Sequence, residues 1–202
     1  MRLALLGAGG HGKVVCRVAQ RAGFEVVGFY DDFATGPVLG LPVLGRFCDA
    51  PAFDGQLFVS LGSNRARAEL FCESRSVVLM DPSAVVDESV RVGVGTVIMA
   101  GAVVNVDTVI GMNCILNTGC TVDHDCVIGD HVHLCPGTHL AGTVRVGAGA
   151  MLGTGTSVIP GRSIGAGSVV GAGAAVVRDL PAGIVATGVP ARVVRDASVS
   201  PG

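Results

Sequence analysis

From residue 80 to residue 176 an aliphatic side chain returns at every sixth position with no break in register. The series is Met80, Val86, Val92, Ile98, Val104, Ile110, Leu116, Val122, Ile128, Leu134, Leu140, Val146, Leu152, Val158, Ile164, Val170 and Val176. Four residues after each stands, in nearly every case, a small one: Ala84, Val90, Thr96, Ala102, Thr108, Cys114. Glycines follow the aliphatic position at 93, 111, 129, 147 and 165, a spacing of 18, three times six. Each hexad therefore reads as one short strand plus a bend, and three hexads as one triangular coil with the aliphatic residue pointing inward. This is the pattern of a hexapeptide parallel β-helix, whose coils stack at roughly 4.8 Å. Seventeen hexads make nearly six coils, with no long loop. The tail DLPAGIVATGVPARVVR breaks the period at Pro181 and is expected to cap the open end.

Residues 1–76 follow a different pattern. RLALLGAG reads as a short buried strand, and His11 to Ala22 has helical apolar spacing at Val14, Val15, Val18 and Ala19. EVVGFYDD reads as a second strand ending in acids. QLFVSLGS reads as a third, followed by a charged helix from Asn64 to about Ser74. Three parallel strands with helical crossovers form a small Rossmann-like sheet. The expected fold is an α/β Rossmann-like domain over residues 1–76, followed by an all-β parallel β-helix over residues 77–202.

Composition narrows the picture. Half of the 202 residues are hydrophobic, with 31 Gly, one Tyr and no Trp, so the core must be built of small aliphatic side chains. A net charge of −2 suggests neither nucleic acid nor an anionic membrane as a partner. The apolar run in MRLALLGAGG is too short for a signal peptide, and no stretch approaches the ~20 apolar residues that span a bilayer. Seven cysteines without paired spacing point to a reducing, cytoplasmic setting.

Two places carry candidate chemistry. Gly7-Ala8-Gly9-Gly10-His11-Gly12 satisfies G-x-G-x-x-G between a strand and a helix, with Asp31 and Asp32 about 20 residues on. Taken alone this predicts a dinucleotide, but a three-strand half lacks the second mononucleotide unit. The same loop can hold any nucleotide phosphate on backbone N–H groups and the helix N-terminus, or serve only tight helix–sheet packing. The second place is NTGCTVDHDCVIGDHVHLCPG, residues 117–137, which gathers three of the five histidines. Gly142 lies 18 residues after His124 and so stacks one coil above it on the same face. Cys114, Cys120 and Cys126 share one hexad position and face the interior as small hydrophobes. His131 and His139 read as outward surface residues.

The hexads resemble the left-handed β-helix of the hexapeptide acyltransferases. Joined to GAGGHGKVV, FYDD, SLGSN and ATGVPAR, they resemble the PglD/NeuD-type sugar acyltransferases across almost the whole chain. That family N-acetylates nucleotide-linked amino sugars or O-acetylates sialic acid. The resemblance implies a homotrimer, with acetyl-CoA as co-substrate bound in the groove between neighbouring prisms and no metal. It implies His124, in VDHDC, as general base and Asp125 as the acid orienting it, where the family more often has Glu. It assigns the Gly142 amide to the thioester carbonyl, and His133, Thr154 and Ala172 to acetyl-CoA. It gives Gly9, Gly10, His11, Asp31, Asp32 and Gly62, with Asn64 nearby, to the nucleotide-sugar acceptor. The implied reaction is N-acetylation of a UDP-4-amino-4,6-dideoxy sugar, with O-acetylation of sialic acid or another sugar hydroxyl as the alternative.

Other classes fit less well. Gamma-type carbonic anhydrases share the prism, but the His124, His131, His133 spacing does not match their zinc ligands. A sugar-nucleotide pyrophosphorylase needs an arginine-bearing loop that GGHGKV lacks. A purely structural prism would leave His124 without a role.

Overall fold

A computed structural model describes residues 1–197 of the chain. The N-terminal unit is a parallel sheet of β1 (Arg2–Leu6), β2 (Glu25–Tyr30), β3 (Val43–Gly45) and β4 (Gln56–Val59), in the order β3-β2-β1-β4. Helix α1 (Gly10–Arg21) crosses between β1 and β2, and α2 (Asn64–Leu70) follows β4. The sheet has one strand more than the three expected. Strand β3 is only three residues long, preceded by Pro42, and too short to show a period. The charged helix also stops at Leu70, because Phe71 turns to extended backbone; a short 3-10 turn, Glu73–Arg75, follows. β2 ends at Tyr30, so Asp31 and Asp32 lie just past it.

Beyond these elements, seventeen two-residue strands run from Leu79–Met80 to Ala175–Val176. They pair in parallel at a register of 18, as in Ile115↔His133 and Thr121↔His139, and form three faces. The first face holds Ile115–Leu116 and His133–Leu134, the second Thr121–Val122 and His139–Leu140, the third Val127–Ile128 and Arg145–Val146. The six-residue aliphatic series fills the interior, together with Ala102, Cys114, Cys120, Cys126 and Val132. Leu180, Ile184, Ala186 and Ala191 of the tail join the same core, and Ile184–Thr187 adds a strand to the first face. The tail thus continues the prism instead of leaving its last coil open.

Two backbone constraints explain the repeat. Along the corner between the third and first faces, a Cβ on Gly93, Gly111, Gly129 or Gly147 would strike the backbone of the next coil. In addition, the third residue after each interior aliphatic, from Gly95 to Gly173, has positive φ. Glycine, Asp107, Asn113, Asp125 and His131 are residue types found at that left-handed position, while the β-branched Thr143 occupies it at greater steric cost.

The N-terminal unit docks on the first face. Leu79, Val97, Met99 and Ile115 pack in one buried cluster with Val15, Val18, Ala19 and Phe29. Arg67 of α2 is buried at 1% exposure and donates to the carbonyls of Asn113 and His131, each at 2.9 Å. The Asn113 amide donates back to the Arg67 carbonyl at 3.2 Å. Asn64 adds bonds to the Gly149 and Ala150 carbonyls at 2.9 and 3.1 Å. No helix among the described residues is long and apolar enough to cross a membrane.

Candidate active site

His124 sits in the turn between the second and third faces, with its side chain half-exposed. Its Nδ1 lies 2.7 Å from Oδ2 of Asp125. A carboxylate only accepts, so Nδ1 carries the proton and Nε2 is left as the basic nitrogen. The hydrogen bond that Nδ1–H donates to Asp125 raises the His124 pKa above the usual histidine value, with the nearby charges of Asp123 and Asp125 adding to it. The left-handed backbone of Asp125, at φ +57°, belongs to the turn position that repeats along the prism.

Gly142 lies directly over this ring. A Cβ built on Gly142 would collide with His124 Nε2, Cε1 and Cδ2, so glycine there leaves the room the imidazole occupies. The two coils are joined by the Thr143 N–H, which donates to the His124 carbonyl at 2.9 Å. Among the described residues the Gly142 N–H has no hydrogen-bond partner. Asp123, unremarked in the sequence, supports the turn: its Oδ1 accepts the His124 N–H at 2.9 Å and the Asn105 amide at 3.0 Å. These bonds hold its carboxyl below the usual carboxylate range, Asn105 foremost.

Asp123 also borders a groove of about 390 Å³ on the second face, lined with Asn105, Thr121, His139 and Ser157. His139, read from sequence as a surface residue, is exposed but paired with the Thr121 hydroxyl at 2.9 Å. The signal that could have found this groove is the polar run Asn105, Thr121, Asp123, which the repeat brings side by side.

The remaining predicted residues gather elsewhere. His133 is buried at 8% exposure on the first face, under the N-terminal unit. Its Nδ1–H donates to the Gly62 carbonyl at 3.2 Å, and its Nε2 accepts from the Asn117 amide at 3.1 Å. The His11 ring stands 6.0 Å away. Burial foremost, with the Arg67 guanidinium beside them, pushes His11 and His133 each down to about 4. Both imidazoles are therefore neutral near pH 7. His131 is engaged separately, with Nδ1 against the Asn113 amide at 2.9 Å and its ring edge-on to Phe71. The three histidines of residues 117–137 thus point to three different partners. Thr154 and Ala172 are exposed and stack at the corner between the first and second faces. One prism unites His124, Asp125 and Gly142, and keeps His133, Thr154 and Ala172 on another face and corner.

The glycine loop opens α1. Gly9 is its N-cap, with no side-chain cap and no acid in the first turn, and nothing lies within 4 Å of a Cβ on Gly9 or Gly10. Gly12 does serve packing, since a Cβ there would strike the Gly7 carbonyl. The Asp31 carboxylate is committed: it accepts N–H groups from Ala8 at 2.8 Å and from Phe33 and Ala34, each at 2.9 Å. Burial opposes its charge, but these bonds hold its pKa below the usual range. Asp32 accepts the Phe47 N–H at 3.1 Å and lies 3.5 Å from Arg46. Asn64 is a strut between the two units, as its bonds to Gly149 and Ala150 show.

Comparison with known proteins identifies the family. Residues 2–74 match the PglD N-terminal domain, and residues 107–142 match the bacterial transferase hexapeptide of six repeats. The acetyltransferase domain of PglB from Neisseria gonorrhoeae, solved with acetyl coenzyme A, is 38% identical, covers 96% of this chain and 98% of its own, and superposes with a TM-score of 0.90. A mutant of perosamine N-acetyltransferase from Caulobacter crescentus, with one histidine replaced by asparagine and solved with CoA and GDP-perosamine, is 44% identical over 97% of this chain and 98% of its own, at a TM-score of 0.92. The UDP-N-acetylbacillosamine N-acetyltransferase of Bacillus subtilis is 39% identical over 114 residues, and the chain spans about half (51%) of that relative's length. With an α/β unit docked on a left-handed β-helix and such likeness along nearly its whole length, the chain belongs to the PglD/NeuD-type sugar acyltransferases of the hexapeptide-repeat superfamily, and it is an acetyltransferase.

Proposed function

We propose that the protein transfers the acetyl group of acetyl-CoA to the amine of a nucleotide-linked amino sugar. The observation that carries this reading is the His124–Asp125 pair at 2.7 Å with the ring's Nε2 edge against Gly142. The sugar amine attacks the thioester carbonyl carbon and forms the C–N bond. His124 Nε2 takes the proton the amine must lose, as the bond forms or just after. The Gly142 N–H, free of other partners among the described residues, donates to the oxyanion of the tetrahedral intermediate. Collapse of that intermediate breaks the C–S bond and releases the CoA thiolate.

The uncapped N-terminus of α1 and the open Gly9–Gly10 loop suit the diphosphate, with His11, Gly62 and the Asp31–Asp32 strand end around it. Gly62 and Asn64 shape this region through their bonds to His133 and the β-helix. His133, Thr154 and Ala172 stand apart from His124 on one prism, so a site that uses both sets draws on neighbouring copies. This supports a trimer with acetyl-CoA lying between subunits.

The solved relatives include one bound to GDP-perosamine and the curated relative is named for a UDP sugar, so both nucleotides belong in the assay beside the expected UDP-4-amino-4,6-dideoxy sugar. Purified protein is to be incubated with acetyl-CoA and each nucleotide amino sugar, following thiol release and the mass of the product. Acetylation of an amino sugar nucleotide supports the reading. Transfer only to sialic acid, or to no sugar, overturns it.

A further inference from the structure

We infer that Phe33 is the stacking platform for the nucleoside base of the acceptor, an inference that rests on the functional reading above. Phe33 is 89% exposed, the most exposed of the large hydrophobic side chains described. It does not sit on a loose loop. Its neighbours Ala34, Val38 and Leu41 pack against the core beneath α1, and Val38 and Leu41 pair across a tight turn. The chain is therefore anchored on one side of Phe33 while the ring itself stands in solvent.

Its backbone is also tied to the glycine loop. One oxygen of Asp31 accepts the Phe33 and Ala34 N–H groups, each at 2.9 Å, and the other accepts the Ala8 N–H at 2.8 Å. A single carboxylate thus sets the position of the aromatic ring relative to Gly9 and Gly10, where the diphosphate would lie. Asp32, beside it, is held by Phe47 and Arg46 at the carboxyl end of β2. In an open parallel sheet that end is where a nucleotide's ribose and base extend from phosphates bound at the first glycine turn. An aromatic face displayed there offers stacking to any base, which is worth a substantial share of nucleotide affinity and tolerates both purines and pyrimidines.

The chain has no tryptophan, so Phe33→Trp places a single indole reporter at this point. UDP and GDP are expected to quench its emission on binding, whereas ribose 5-phosphate and pyrophosphate leave it unchanged. Phe33→Ala is expected to raise the KM for the nucleotide sugar roughly 5- to 150-fold, a rise that kcat does not share. Calorimetry on the same proteins separates the two ideas. If UDP or GDP binds the Phe33→Trp protein while its emission stays unchanged, the stacking role is wrong and the functional reading stands. If no nucleotide binds the unaltered protein, both fall.

Discussion

The imidazole of His124 lies under Gly142, one coil up the prism, so closely that a methyl group on Gly142 would displace it. Gly142 has no positive φ that would demand glycine, so the missing side chain serves the neighbouring ring and not the local backbone. Gly142→Ala is therefore expected to fold with a melting temperature close to that of the parent, because a side-chain end and not backbone must yield. Its kcat is expected to fall about 100-fold, the scale of a misplaced catalytic group. Steady-state kinetics with a thermal melt checks both halves.

The Asp125 carboxylate raises the pKa of His124, and the base works only when deprotonated. Activity should rise with pH through a limb above the ordinary histidine value of about 6.5. Asp125→Asn keeps a residue that tolerates the left-handed backbone at φ +57° but removes the charge. Its acid limb is expected to move to lower pH, with a loss of rate milder than that of His124→Ala. The pH dependence of kcat/KM for the two proteins reads this directly.

Arg67 holds the two units together through carbonyls alone; among the described residues no carboxylate pairs with it. Burial lowers its pKa to about 10, so it remains charged at neutral pH. Arg67→Met leaves the Asn113 and His131 carbonyls without this donor, at an expected cost of roughly 2–4 kcal/mol. Denaturant unfolding of the variant measures it.

Cys48 and Cys72 are exposed, while the other five cysteines are buried. Burial pushes the Cys114 thiol up to about 11 and that of Cys120 to about 12, so both stay protonated and unreactive. A maleimide reagent should modify Cys48 and Cys72 rapidly in the native protein and the others only after denaturation, as mass spectrometry of the peptides will show.

The prism was legible because its constraints are local and periodic. The interior takes one aliphatic side chain at every sixth place and a smaller one four residues on, and Gly142 could be placed over His124 by counting eighteen. The left-handed turn position, three residues after each interior aliphatic, was not read from the sequence, although Asp107, Asn113, Asp125 and a run of glycines mark it there. What could not be read depends on packing between distant segments. The outward aliphatics Leu79, Val97 and Ile115 look like ordinary repeat residues until α1 covers them. His133 has the same local pattern as His139, yet one is buried against Gly62 and the other stands in solvent, because the N-terminal unit covers only the first face. Strand β3 was hidden by its shortness, and the end of α2 by Phe71, which leaves the helix to meet Gly95 and His131.

The most direct test of the central claim is His124→Ala, measured for turnover with a nucleotide amino sugar and separately for acetyl-CoA binding. A general base predicts a fall in kcat of at least ~100-fold with affinity for acetyl-CoA retained. Undiminished turnover, or a loss found wholly in acetyl-CoA affinity, would contradict the assignment.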